Sequence, residues 1–221
     1  MAQHVSDPAH TEAREPPAFA HEPLPAIAAL QRFAARKAPA AERCDLCGAD
    51  IGPEHPHLFG PVDRQLVCAC DTCAILFGGQ HTQRYKRVPT RTKSWPSFRL
   101  PDETWVALGL PIDLAFFTES SSAGKVLAFY PSPAGATESL LTLESWRELV
   151  DANPCLRQLE PDVEALLVNR ARGAREYYRA PIDQCYRLTG LLRTHWRGLS
   201  GGADVWKAVG AFFEELRQLS M

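Results

Sequence analysis

The 221-residue chain reads as an α+β protein fronted by a small four-cysteine finger. Three observations carry that reading. Five of the seven cysteines fall between Cys44 and Cys73, in the string CDLCGADIGPEHPHLFGPVDRQLVCACDTC. Beyond residue 100, two pairs of short apolar or aromatic runs are each joined by turn-forming residues, which marks β-hairpins. Residues 181–219 then carry two apolar stripes at helical spacing, separated by Gly201-Gly202.

Composition bounds the answer. Hydrophobic residues at 45% and charged residues at 23% are ordinary globular values, so a sizeable core is within reach. A net charge of −2 argues against wholesale binding of polyanions. No apolar run approaches the roughly eighteen residues that span a bilayer. The start, MAQHVSDPAHTEAREPP, has no apolar core behind a basic segment, so no secretory signal is expected. The expected compartment is therefore the reducing cytoplasm, where clustered cysteines hold metal more often than they form disulfides. The odd cysteine count agrees.

Residues 1–41 are expected to be a disordered tail, with one short docking helix over Leu24–Phe33 and solvated His4, His10 and His21. Residues 42–80 form the metal-binding module. Cys44/Cys47 and Cys70/Cys73 are two C-x₂-C hooks at the ligand spacing of a structural zinc site. Such a turn lets two thiolates grip one ion while backbone N–H groups point at their sulfurs. Gly48 suits the positive φ that closes the first knuckle. A knuckle, a hairpin and a hook at a helix start would make a treble-clef-like finger; two hairpins would make a zinc ribbon. Asp63–Val67 reads as a strand, whereas Ala74–Phe77 suits either a helix or a strand. Cys68 has three readings: a ligand in place of Cys70, a ligand to a second ion with His55 or His57, or a small buried residue beside the site. His55 and His57 are candidates for that additional metal or for supporting the first. Zinc is the expected ion, with a single iron or an iron–sulfur cluster as the alternative.

Residues 81–99 form a basic linker: Arg84, Lys86, Arg87, Arg91, Lys93 and Arg99 without an acidic residue, interleaved with Tyr85, Trp95 and Phe98. That pattern suits single-stranded nucleic acid. Pro89, Pro96 and the unraised overall charge favour a solvated connector instead. Residues 100–221 read as an α+β domain. A helix is expected at Asp102–Leu108, a hairpin from Asp113–Thr118 and Val126–Tyr130, and a helix over Leu143–Ala152 capped by Thr142. Val163–Val168 and Arg175–Tyr178 form a second hairpin; helices start near Pro181 and after Gly202. Cys155, Cys185 and His195 read as structural.

Nothing nominates a catalytic residue, so no enzyme is expected. Ser122–Val126 fails as a phosphate loop, because Glu119 and Val126 stand where it needs Gly and Ser or Thr. G-x-S-x-G, H-E-x-x-H and G-x-G-x-x-G do not occur.

The strings CDLC, HPHL, LVCACDTCAILF, IDLAFF, AFYPSPAGATES, ANPCLRQLEPDVEALLVNR, PIDQCYRLTGLLRTHWRG and FFEEL resemble a bacterial family of uncharacterised proteins. The resemblance covers about residues 42–219. It implies a setting beside genes for high-affinity, actinobacterial-type nickel–iron hydrogenases. It carries over Cys44, Cys47, Cys68, Cys70 and Cys73, and a polar loop over Pro131–Ser139. The expectation is a non-catalytic zinc-binding accessory protein, with a hydrogenase subunit or maturation factor as protein partner. Pro131, Ser132, Pro133, Gly135, Thr137 and Glu138 would form the partner surface. The alternatives are a rubredoxin-like or iron–sulfur electron carrier and a nucleic-acid-binding regulator.

Overall fold

The computed structural model describes residues 42–79, 84–139, 143–198 and 201–220. The Leu24–Phe33 helix, the tail histidines and the Thr142 cap lie outside them. The described chain is mixed α+β. A three-stranded antiparallel sheet of β1 (His57–Gly60), β2 (Gln65–Cys68) and β3 (Lys86–Arg87) runs in the order β2-β1-β3. The seven-residue helix α1 (Asp71–Phe77) follows β2. Helix α2 (Asp102–Ala107) opens on Asp102 and Glu103, whose charges suit the positive end of its dipole.

A six-stranded antiparallel sheet forms the larger part. It contains β4 (Lys93–Ser94), β5 (Leu114–Ser120), β6 (Lys125–Ser132), β7 (Gly135–Ser139), β8 (Glu164–Asn169) and β9 (Glu176–Pro181), in the order β4-β9-β8-β5-β6-β7. The expected hairpins are its centre: Phe117 faces Ala128 across β5 and β6, and Leu167 faces Tyr178 across β8 and β9. The helix α3 (Leu143–Ala152) has the expected bounds, and α4 (Ile182–His195) and α5 (Gly202–Leu219) fall where periodicity placed them.

Strand alternation explains why this sheet is buried on both faces. Leu114, Phe116, Leu127, Phe129, Ala165, Leu167 and Tyr178 point to one side, against Leu188 and Leu192 of α4 and Val209, Phe212 and Phe213 of α5. Ala115, Phe117, Ala128, Leu166, Val168 and Tyr177 point to the other, against Trp95, Phe98, Trp105 and Leu149. Phe59 of β1 and Val88 belong to the first of these clusters, so the small sheet is anchored in the large core.

Two stretches differ from expectation. Residues 131–139 are not a free loop but the end of β6 paired with the edge strand β7, Tyr130 opposite Thr137 and Pro131 opposite Ala136. Hydroxyls stabilise the turn: Ser132 Oγ donates to Gly135 O at 3.0 Å and lies 3.0 Å from Thr137 Oγ1. The basic stretch supplies β3 and β4 and buries its aromatic rings. Trp95 and Phe98 stack with centroids 5.9 Å apart, and Phe98 stacks on Tyr177. No helix among the described residues is long and apolar enough to cross a membrane.

Candidate metal centre

The first hook is a tight turn. The Cys44 N–H donates to Ala49 O, and Gly48, at φ +76°, donates its N–H to Cys44 O, both at 2.8 Å. An isolated bridge pairs Arg43 with Asp50 and closes the knuckle. The second hook begins where β2 ends. Cys70 is the N-cap of α1, its sulfur accepting the Cys73 N–H at 3.5 Å. A helix N-terminus has spare N–H groups, and a thiolate uses one of them as a serine cap would. Asp45 joins the two hooks: its carboxylate accepts the Cys68 N–H at 2.7 Å, and its own N–H donates to Cys68 O at 2.9 Å.

This framework gathers the thiols of Cys44, Cys47, Cys70 and Cys73 within 4.8 Å of one another. Cys47 and Cys70 sulfurs are 3.7 Å apart. Four thiolates at about 2.3 Å from one ion form a tetrahedron with edges of about 3.8 Å, so the spacing suits a single tetrahedral ion. All seven cysteines are free.

Electrostatics favour the Cys44 thiolate and resist those of Cys47 and Cys73. Burial pushes the Cys44 thiol up, but N–H groups of Cys70, Leu46 and Cys47 outweigh it and bring it down to about 6. Burial and the neighbouring sulfurs push Cys73 up to about 12. A divalent cation bound among these sulfurs would offset what holds the Cys73 thiol protonated.

A second group stands beside the first. His55, His57 and Cys68 each bring one donor atom within 4.8 Å of the others. The rings of His55 and His57 meet edge to face, centroids 4.8 Å apart. His55 Nδ1 lies 2.8 Å from Gly52 O and 3.4 Å from the Glu42 carboxylate. His57 Nδ1 lies 2.9 Å from Asp183 Oδ2, at the start of α4. The Cys68 thiol is raised by burial, then by the charges of Asp45, Glu42 and Cys44. Cys70, not Cys68, thus sits with the other three hook cysteines.

Of the residues assigned to a partner surface, Pro133 and Glu138 are exposed and Pro131 is buried. Glu138 pairs with Arg64, between β1 and β2, at 2.9 Å. Cys185 is buried and Cys155 partly so, and His195 Nδ1 lies 3.0 Å from Leu191 O. Asp45 and Asp183 were not singled out by sequence reasoning. Asp45, inside the first hook, was there to be noticed; Asp183 lies 126 residues from His57 and gave no local signal.

One knuckle, one hairpin and a thiol-capped helix start define a treble-clef-like finger, here set before an antiparallel α+β domain. Its donor set is compatible with zinc or iron. The model of the family of unknown function DUF5947 matches residues 43–220, and the chain belongs to that family. The match runs through finger and large sheet alike. No curated protein and no solved structure matches the chain.

Proposed function

We propose that this protein is a zinc-binding accessory protein of the cytoplasm, non-catalytic at its four-thiol centre, which serves nickel–iron hydrogenase assembly or function through a protein partner. The observation that carries the structural role is closure of the donor set. Four thiols converge from two hooks held together by the paired hydrogen bonds of Asp45 and Cys68, leaving an ion no position for water or substrate. The hydrogenase setting is supported by the resemblance of strings such as AFYPSPAGATES to proteins encoded beside such genes. In this reading the β6–β7 edge presents the partner surface, since β7 is the outermost strand of the sheet and Glu138 on it and Pro133 in the turn before it are exposed.

Two measurements test the proposal. Gentle affinity purification from the native cell is expected to bring down a hydrogenase subunit or maturation factor; repeated absence of both rejects the setting. Metal analysis of protein purified without oxygen is expected to find zinc and no visible colour. Iron with visible absorption would replace the structural site by a rubredoxin-like or iron–sulfur electron carrier.

A further inference from the structure

We infer that His55, His57 and Cys68 form a second metal site, distinct from the four-thiol centre, which binds a divalent ion of the zinc, cobalt or nickel kind and leaves one coordination position open. The inference stands independently of the function proposed above.

The hydrogen bonds around the two rings assign their tautomers. A carbonyl oxygen only accepts, so His55 Nδ1 carries the proton that meets Gly52 O at 2.8 Å. A carboxylate also only accepts, so His57 Nδ1 carries the proton that meets Asp183 at 2.9 Å. In each neutral ring the lone pair is then on Nε2. A metal-ligating histidine is held in this way, its other nitrogen donating to a carbonyl or carboxylate that fixes the ring and raises its basicity.

A second, independent observation points to a ligand. The His55 side chain is only 7% exposed, and its Nε2 is buried without a hydrogen-bond partner among the described residues. Leaving such an atom unsatisfied forfeits its hydration with nothing in return. The neighbouring donors, His57 and Cys68, are the kind that coordinate with it.

The donor set decides the class of ion. Two imidazoles and one thiolate suit borderline transition metals and not magnesium or calcium, which take oxygen ligands. Three protein ligands leave a fourth tetrahedral position for water or an outside donor. His57 and Cys68 are partly exposed, so solvent reaches the group. Cys68 and Cys70 sit two residues apart but turn to different groups, because Cys68 ends β2 while Cys70 caps α1.

The test is cobalt titration of the full-length protein, stripped of metal under reducing conditions, with metal content and visible spectrum read together. Wild type is expected to bind two ions per chain, one with the intense absorption of four thiolates and one with the weaker absorption of a single thiolate. His57→Ala and Cys68→Ser are each expected to bind one ion and to retain the four-thiolate spectrum, which also reports that the finger is folded. Asp183→Asn leaves every proposed ligand in place and is expected to weaken the second ion about ten- to a hundredfold without changing the first. One ion per chain in saturated wild type overturns the inference. So does a second ion whose stoichiometry and spectrum survive both ligand substitutions. Should either ligand variant lose both ions, Asp183→Asn decides, and an unchanged affinity for the second ion overturns the inference.

Discussion

Stripping the metal is expected to open the finger while leaving the large sheet intact. The magnitude follows from what the finger buries by itself. Its own cluster buries Cys44, Leu58, Ala69, Cys73, Ala74 and Tyr85, with Leu46, Ile51 and Val67 only partly buried against it; of the buried members only Leu58 and Tyr85 are large. At about 1.5–3 kcal/mol per fully buried large side chain, these two contribute about 3–6 kcal/mol. Fixing each backbone residue costs about 1–2 kcal/mol, so a few ordered residues consume that gain. A structural zinc supplies an apparent 10–16 kcal/mol or so, the larger share. Hydrogen exchange read by mass spectrometry on metal-loaded and metal-free protein makes the comparison. Residues 42–56 and 61–77 are expected to lose protection on metal removal. Strands β5, β8 and β9 and helix α4 are expected to keep it, because their cores are apolar and separate. Strand β1 should keep part of its protection through Phe59. Unchanged protection in the finger after verified removal would refute the reasoning, and so would exchange of the whole chain as one unit.

Three further outcomes are expected. Asn153 is buried and accepts the Arg99 N–H at 2.6 Å while donating to Arg99 O at 2.8 Å and Leu149 O at 3.0 Å, so Asn153→Ala should cost about 3 kcal/mol in urea denaturation. A loss below about 1 kcal/mol would mean that water replaces the amide. Burial, then the charge of Glu176, pushes the Tyr178 hydroxyl up from 10.0 to about 12. Because the folded state holds that proton more tightly, its stabilisation is complete below pH 10 and is lost as pH rises towards 12. Tyr178→Phe should flatten this alkaline limb, and an unaltered pH profile of stability would contradict the assignment. Single-stranded oligonucleotide should show no salt-sensitive binding in fluorescence anisotropy. Tyr85, Trp95 and Phe98 are buried, and Lys86 is held 2.7 Å from the Asp162 carboxylate. Binding that falls steeply with salt would reinstate the nucleic-acid reading.

Local pattern explains which elements were legible. The runs DLAFFT and VLAFY, with a turn between them, carry enough aromatic and β-branched surface to announce a hairpin, and the two pair as β5 and β6. The stripes of α4 and α5 survive because one face of each helix meets the sheet or its neighbour. Strand β7 was hidden because Gly135, Thr137, Glu138 and Ser139 have the composition of a turn. Its order comes from pairing with β6, which no local propensity records. The basic stretch misled in the same manner. It read as a solvated connector, yet Trp95 and Phe98 are buried, with Tyr177 of β9 packed on Phe98.

The two thiol hooks lay in plain view because each is a local turn, and a C-x₂-C turn directs its sulfurs by geometry that four residues contain. The ambiguity between Cys68 and Cys70 was of another kind. Both stand at hook spacing, and the choice depends on where β2 stops and α1 starts. Cys70 takes the helix cap, so its sulfur faces Cys73, while Cys68 remains on the strand beside His57 of β1. His57 is then held from outside the finger, by Asp183 on a helix whose sequence announces only a core stripe. A carboxylate with a structural place at a helix start and a second contact to a histidine 126 residues away is invisible to any window along the chain. The same contact ties the finger to the large domain, so loss of Asp183 should be felt at His57 before it is felt at the four thiols.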